Sequence, residues 1–151
     1  MIAPGTTAPD FALSNQNRET ITLSSFRGTS NVIVAFHPLA FTPFCSTQIQ
    51  SYERERARLV AHDTRVLAIS SDAGPSKRAW AESLGGISYD LLSDFHPQGK
   101  VAADYGVLRD DGLAERSVFL VDKAGVIRWA KVYGMEGQPD IQDVLDALAE
   151  L

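Results

Sequence analysis

The scarcest residue in this sequence is cysteine, since its 151 residues include only Cys45. A single cysteine cannot form an internal disulfide, so nothing indicates an oxidising compartment and we expect a cytoplasmic protein. No apolar run approaches the roughly 20 residues that a membrane span needs. The N-terminal residues also lack the basic stretch and apolar core of a secretory signal. These absences argue against a membrane or secreted protein.

Clustered positive charge is missing as well. The net charge is −5, and the basic residues are interleaved with acids, as in YERERAR at 52–58. Because nucleic-acid binding needs clustered lysine and arginine, we expect no nucleic-acid partner. The three histidines and one cysteine form no pair at metal-ligand spacing, and no glycine-rich nucleotide motif occurs. The sequence therefore predicts neither a metal site nor a nucleotide cofactor.

The residues that are present predict a single α/β domain spanning residues 1–151. Continuous apolar, β-branched segments at 30–36 and 65–71 are typical of strands covered on both faces. Strand-like and helix-like segments alternate over the first two thirds of the chain, and a hairpin is predicted near the end. This pattern favours a mixed central β-sheet flanked by helices.

Two helices are predicted from apolar spacing. One is expected to begin at Pro43 and to continue through the apolar positions Ile49, Tyr52, Leu59 and Val60. The last helix is expected to begin near Pro139 and to carry an apolar stripe that ends at Leu151.

Cys45 lies where a predicted strand gives way to a predicted helix. Thr42 and Pro43 are typical of the N-cap and first helical position, so the sulfur should lie in the first helical turn. Unpaired N–H groups and the helix dipole favour an anion there, and such sites can lower a thiol pKa from ~8.5 to ~3.5–7.5. A lone cysteine is more often a small buried hydrophobe, but this position favours a reactive thiolate.

A lowered thiol pKa would contribute little to reactivity by itself. A change from ~8.5 to ~6 raises the thiolate fraction at pH 7 by roughly 30-fold. Intrinsic nucleophilicity falls at the same time, by about 10- to 18-fold for a Brønsted slope of ~0.4–0.5. A catalyst built on Cys45 must therefore also act on its substrate.

The segment PLAFTPFC, residues 38–45, matches the Pro-x-x-x-Thr-x-x-Cys signature of the peroxiredoxins. Further segments occur in the order expected for that family, namely APDFAL, LSSFRG, LLSD, VAADYGV and ERSVFLVDKAGVIR. The sequence thus resembles a peroxiredoxin over nearly its whole length. With no second cysteine, it is similar to the one-cysteine type and to the alkyl hydroperoxide reductase E-like subgroup.

This resemblance implies a thioredoxin-like fold and four site residues. Cys45 would be the peroxidatic residue, and Thr42 would hydrogen-bond the peroxide. Pro38 would shield the pocket, and Arg116, before the late core strand, would be the site arginine. Glutamate is common three residues after the family's cysteine, whereas this chain has Gln48, which can accept a hydrogen bond but brings no charge.

The implied activity is that of a thiol-dependent peroxidase. Hydrogen peroxide or organic hydroperoxides would oxidise Cys45 to a sulfenic acid, and an external thiol, a thioredoxin-type protein or a small thiol, would regenerate it. No cofactor is implied, and a homodimer is expected. Two alternatives stay open: a peroxide sensor or relay protein, and a monothiol disulfide oxidoreductase.

Two aromatic side chains near these segments have simpler interpretations. Trp80 lies on a further predicted amphipathic helix, which begins near Pro75 and ends before Gly85, and it is interpreted as core packing. His37, next to Pro38, is interpreted as a structural or merely neighbouring residue.

Overall fold

The computed structural model describes residues 1–151, and its regular elements follow the predicted order. The strands are β1 (Ala12–Ser14), β2 (Thr20–Thr22), β3 (Asn31–Phe36), β4 (Thr64–Ser70), β5 (Asp90–Ser93), β6 (Ser117–Val121) and β7 (Ile127–Val132). The helices are α1 (Pro43–Arg54), α2 (Arg56–Ala61), α3 (Gly74–Ser83), α4 (Lys100–Asp104) and α5 (Ile141–Ala149), with a 3₁₀-helix at Leu23–Phe26.

The central sheet has five strands in the order β5-β4-β3-β6-β7. Strands β3, β4 and β5 are parallel neighbours, whereas β6 runs antiparallel to both β3 and β7. Strands β1 and β2 form a separate antiparallel pair. The prediction of a mixed central sheet with a late hairpin is confirmed.

Side chains of the central strands alternate between two apolar layers. Val34, Leu67 and Phe119 belong to a layer that also contains residues of α4 and of the N-terminal segment. Ile33 and Val118 face the other side, where they pack with residues of α1, α2 and α5. Because both faces of the sheet are covered, its strands are continuously apolar, as their sequences indicate.

The register of the sheet brings three chain segments to one edge. Phe36, the last residue of β3, pairs with Ser117, the first residue of β6. Arg116 therefore lies beside the end of β3, where the chain leaves the sheet towards α1. The N–H of His37 bonds to the carbonyl of Ile69 at 3.0 Å, so β4 ends at the same edge.

Two predicted helix details are wrong. The helix expected from Pro43 through Val60 is broken at Glu55, so that α1 ends at Arg54 and α2 begins at Arg56. Val60 is 56% exposed, because adjacent helical residues point about 100° apart and Leu59 takes the inward position. Leu151 lies beyond the end of α5 and is 52% exposed. No helix has the length and apolar character needed to span a bilayer.

Candidate active site

Cys45 lies in the first turn of α1 and is fully buried. Thr42 occupies the N-cap position with extended backbone angles, φ −102° and ψ 150°, and Pro43 is the first helical residue, as predicted. The backbone N–H groups of Phe44 and Cys45 have no protein acceptor, which is the usual state of N–H groups at a helix start. An anion or a peroxide oxygen at this position could accept from them.

The Thr42 side chain does not cap the helix, contrary to the prediction. Its hydroxyl instead donates to the carbonyl of Leu39 at 2.9 Å. The chain turns back between these residues through Phe41, whose φ of 63° is in the left-handed region, and this turn brings the carbonyl within reach. Since the hydroxyl proton is used, the lone pairs of the Thr42 oxygen remain able to accept a hydrogen bond.

Arg116 reaches Cys45 from the beginning of β6. Its Nη1 atom donates to the Cys45 Sγ at 3.2 Å and to the Oε1 of Gln48 at 2.8 Å. Its Nη2 atom donates to the carbonyl of Met135 at 3.0 Å. Arg116 is 2% exposed, and no carboxylate lies within ion-pair distance of its guanidinium.

Among the acceptors of the buried Arg116 guanidinium, the Cys45 sulfur is the one that can carry a negative charge. A buried charge is costly unless it is paired and hydrogen-bonded. The other two acceptors, a side-chain amide and a backbone carbonyl, are neutral. The remaining acceptor is the Cys45 sulfur, which can carry a negative charge as the thiolate.

Gln48 is held in place from its other side. Its Nε2 atom donates to the Tyr52 hydroxyl at 3.4 Å, and both residues are buried. Burial raises the pKa of Tyr52 to about 12, so the hydroxyl stays neutral at physiological pH. This contact turns the amide oxygen of Gln48 towards Arg116, and the hydrogen bond expected from the sequence is present.

Pro38 is buried in the loop between β3 and α1. That loop is tied down by the N–H of Ala40, which donates to the Oδ2 of Asp72 at 2.9 Å. The structure thus brings Cys45 and Arg116 into direct contact and places Thr42 and Pro38 on the segment that leads into α1.

Sequence reasoning missed a buried lysine beside this site. Lys77 is fully buried on α3, and its Nζ lies 2.8 Å from the Nε2 of His37, which is also fully buried. Trp80 is in the core as interpreted, with its Nε1 donating to the Ser46 hydroxyl at 3.1 Å. Lys77 lies three and four residues before the buried Trp80 and Ala81, so helical spacing could have placed it on the inner face of α3.

Comparisons with known proteins agree with this geometry. Residues 4–130 match the model of the AhpC/TSA family. The chain is 39% identical over 152 residues to alkyl hydroperoxide reductase E of Mycobacterium tuberculosis, covering 100% of this chain and 99% of that protein.

Solved structures give the same assignment. The crystal structure of peroxidoxin BcpB from M. tuberculosis matches with a TM-score of 0.88 at 25% identity, over 100% of this chain and 99% of that one. The mitochondrial 2-Cys peroxiredoxin from Plasmodium falciparum matches with a TM-score of 0.86 at 28% identity, over 98% and 93% of the two chains.

The chain belongs to the AhpC/TSA family of peroxiredoxins. The thioredoxin-like fold and the thiol-dependent peroxidase activity expected from the sequence are confirmed. The relatives include alkyl hydroperoxide reductase E itself, so the resemblance to that subgroup is confirmed too.

A charge change at position 48 tests the electrostatics of the contact between Arg116 and Cys45. Gln48→Glu places a carboxylate beside Arg116 and within one helical turn of Cys45. Because a nearby like charge disfavours an anion, the pH midpoint of Cys45 alkylation should rise by about one unit. Alkylation rates measured against pH give the midpoint. Gln50→Glu, on another side of α1, is the matched control, and a midpoint no higher in Gln48→Glu than in this control would contradict the prediction.

Proposed function

We propose that Cys45 is the peroxidatic residue and that Arg116, Thr42 and Pro38 form the peroxide site around it. The observation that carries this assignment is the 3.2 Å contact between a buried guanidinium and the only sulfur nucleophile of the chain. A thiolate held by a fixed cation at a helix start has the nucleophile and the charge stabilisation that peroxide reduction needs.

In the first step, the Cys45 thiolate attacks one oxygen of the hydroperoxide. An S–O bond forms and the O–O bond breaks, so sulfur is oxidised to the sulfenic acid. The other oxygen leaves as alkoxide or hydroxide and takes up a proton to give alcohol or water. Negative charge therefore moves from the sulfur to the leaving oxygen during the reaction.

The hydrogen-bond donors around Cys45 can stabilise negative charge both on the sulfur and on the leaving oxygen. Arg116 has a rigid fork of N–H groups that can bond both the sulfur and a peroxide oxygen. The free N–H groups of Phe44 and Cys45 offer two more donors. Thr42, already donating to Leu39, can accept from the peroxide O–H. Fixed donors aimed at developing charge give a large rate advantage.

Regeneration needs two thiols from outside the chain, because no second cysteine exists. The first thiol condenses with the sulfenic acid to give a mixed disulfide and water. A second thiol displaces Cys45 from that disulfide and leaves as the oxidised reductant. We infer that a thioredoxin-type protein or a small thiol supplies both equivalents, and that hydrogen peroxide, an organic hydroperoxide or both are reduced.

We also infer a cytoplasmic homodimer in which residues 1–151 act as one domain. A chain with one cysteine forms no internal disulfide, which suits a reducing compartment. Three large apolar side chains are exposed around the entrance to α1, namely Leu39, Phe41 and Phe44. Exposed apolar groups gathered in one place are typical of interaction surfaces.

The homodimer predicts a specific effect of surface substitution. The wild type should sediment as a dimer, and the variant with both Phe41→Ser and Phe44→Ser should sediment as a monomer. The reason is that the two changes remove apolar area from the surface shared by the subunits. Val60→Ser, which alters an apolar residue exposed on α2, should leave the dimer intact. A wild-type chain that sediments as a monomer at micromolar concentration would contradict the inference.

Cys45 is predicted to be the sole redox site. One equivalent of peroxide should add one oxygen to the intact mass, and excess peroxide should add a second. Cys45→Ser should lose peroxide consumption, because serine cannot replace the thiolate. Repeated turnover with a thiol reductant distinguishes the peroxidase from a sensor that is oxidised once and stays modified. Rapid peroxide consumption by the serine variant would rule out the assignment.

Arg116 is predicted to act on the peroxide as well as on the sulfur. Arg116→Ala should slow peroxide attack by about 10²-fold or more, the usual effect of losing an oxyanion donor, and should slow alkylation by a bulky reagent far less. Thr42→Val should slow peroxide attack by about 5- to 10-fold, the equivalent of one hydrogen bond. Stopped-flow oxidation and alkylation rates are measured for each variant.

The controls for these variants are Arg65→Ala, which removes an exposed arginine of β4, and Thr42→Ser, which keeps the hydroxyl. Both should react as the wild type does. Equal losses in peroxide attack and alkylation would show that Arg116 only maintains the thiolate.

A further inference from the structure

A continuous chain of buried and half-buried polar groups lies behind the peroxide site. The Lys77 Nζ donates to the Ser70 hydroxyl at 2.7 Å, and that hydroxyl donates to the Oδ2 of Asp72 at 2.6 Å. The same carboxylate oxygen accepts from the N–H of Ala40 at 2.9 Å. The chain therefore connects α3, the end of β4 and the loop between β3 and α1, which carries Pro38.

The charges around Cys45 balance only if Lys77 is counted. Arg116 and Lys77 are the two buried cations. The Asp72 carboxylate and the Cys45 thiolate are the anions near them. The acceptors Gln48 and Tyr52 are neutral, so no carboxylate at position 48 competes with the thiolate for positive charge. With Lys77 protonated, the thiolate completes a neutral cluster.

We propose that Lys77 is a positioning residue for the peroxidase reaction. Its ammonium group is a second buried cation for the Cys45 thiolate, and through Ser70 and Asp72 it holds the loop that carries Pro38. This proposal rests on the roles of Cys45 and Arg116 given above.

Three titratable groups, Asp72, Cys45 and His37, act on Lys77 from the surrounding elements. Burial lowers the pKa of Lys77 from 10.5 to about 7, while Asp72 and Cys45 oppose that fall. His37 at the end of β3 has its pKa lowered well below 6.5 by burial, and then by Lys77 and Arg116.

His37 is therefore neutral and acts as an acceptor. The ammonium of Lys77 donates to its Nε2, which leaves the proton on Nδ1, an atom with no partner. In this pair it is therefore Lys77, and not His37, that changes charge near neutral pH.

The test compares pH profiles of Lys77→Met with those of the wild type. In the wild type, the peroxide rate should pass through a maximum and fall above about pH 7–9 as Lys77 loses its proton. In Lys77→Met the falling limb should disappear. The pH midpoint of Cys45 alkylation should rise by about 0.5–1 unit, because a nearby positive charge is lost.

Unfolding gives a readout independent of catalysis. A lysine with a lowered pKa binds its proton less readily in the folded protein than in the unfolded chain. The free energy of unfolding should therefore rise with pH between about 7 and 9 in the wild type, and this rise should be smaller in Lys77→Met. Urea unfolding at several pH values measures it.

Lys100→Met is the matched control, since it removes an exposed lysine that is paired with Asp104 on α4. Its profiles should overlay those of the wild type. Profiles of Lys77→Met that also overlay the wild type would overturn the proposal. A rate loss that is equal at every pH, with an unchanged alkylation midpoint, would assign Lys77 a packing role and would overturn it as well.

A second variant keeps the test decisive if Lys77→Met does not fold. Asp72→Asn keeps an oxygen acceptor for the Ala40 N–H but removes the charge that favours the ammonium form. The fall of the peroxide rate at high pH should then begin at a lower pH than in the wild type. A fall that begins at the same pH would overturn the proposal. Failure of the peroxidase assignment itself would appear separately, as peroxide consumption that survives in Cys45→Ser.

Discussion

The buried guanidinium of Arg116 is the constraint on which the rest of this site depends. It is 2% exposed, and among its acceptors only the Cys45 sulfur can carry a negative charge. Breaking a buried ion pair by removing one partner leaves an uncompensated charge. The Cys45 sulfur is thus the one acceptor in the folded chain that could balance the buried charge of Arg116.

The sheet makes this pairing possible by bringing distant segments to one edge. Because Phe36 pairs with Ser117, the residue before β6 lies next to the exit of β3. That exit leads directly into α1, whose first turn contains Cys45. The apolar alternation that sets the register of β3 and β6 therefore also sets the separation of the arginine and the sulfur. A slip of one residue would exchange the faces of the strand and separate them.

Local signals in the sequence predict one half of the site, and long-range contacts form the other. Thr42 and Pro43 mark the helix start that contains Cys45, and the family resemblance of the segment ERSVFLVDKAGVIR points to Arg116, so both members of the buried contact could be named from the sequence. The Thr42 hydroxyl bond to Leu39 could not, because it depends on the left-handed backbone of Phe41, a residue type that rarely adopts it. The contact of Lys77 with His37 spans 40 residues of sequence, and no local pattern encodes such a partner.

The neutral side chain of Gln48 and the buried ammonium of Lys77 act in the same direction, since both leave more positive field on the thiolate. A stronger field raises the thiolate fraction, but intrinsic nucleophilicity falls as thiol basicity falls, and the two effects nearly cancel near neutral pH. The benefit of a second cation must then come from elsewhere. Through Ser70 and Asp72, Lys77 fixes the loop before α1. The free-energy cost of burying the Lys77 ammonium is therefore offset by the positioning of the groups that receive the leaving oxygen. It is not offset by a more reactive sulfur.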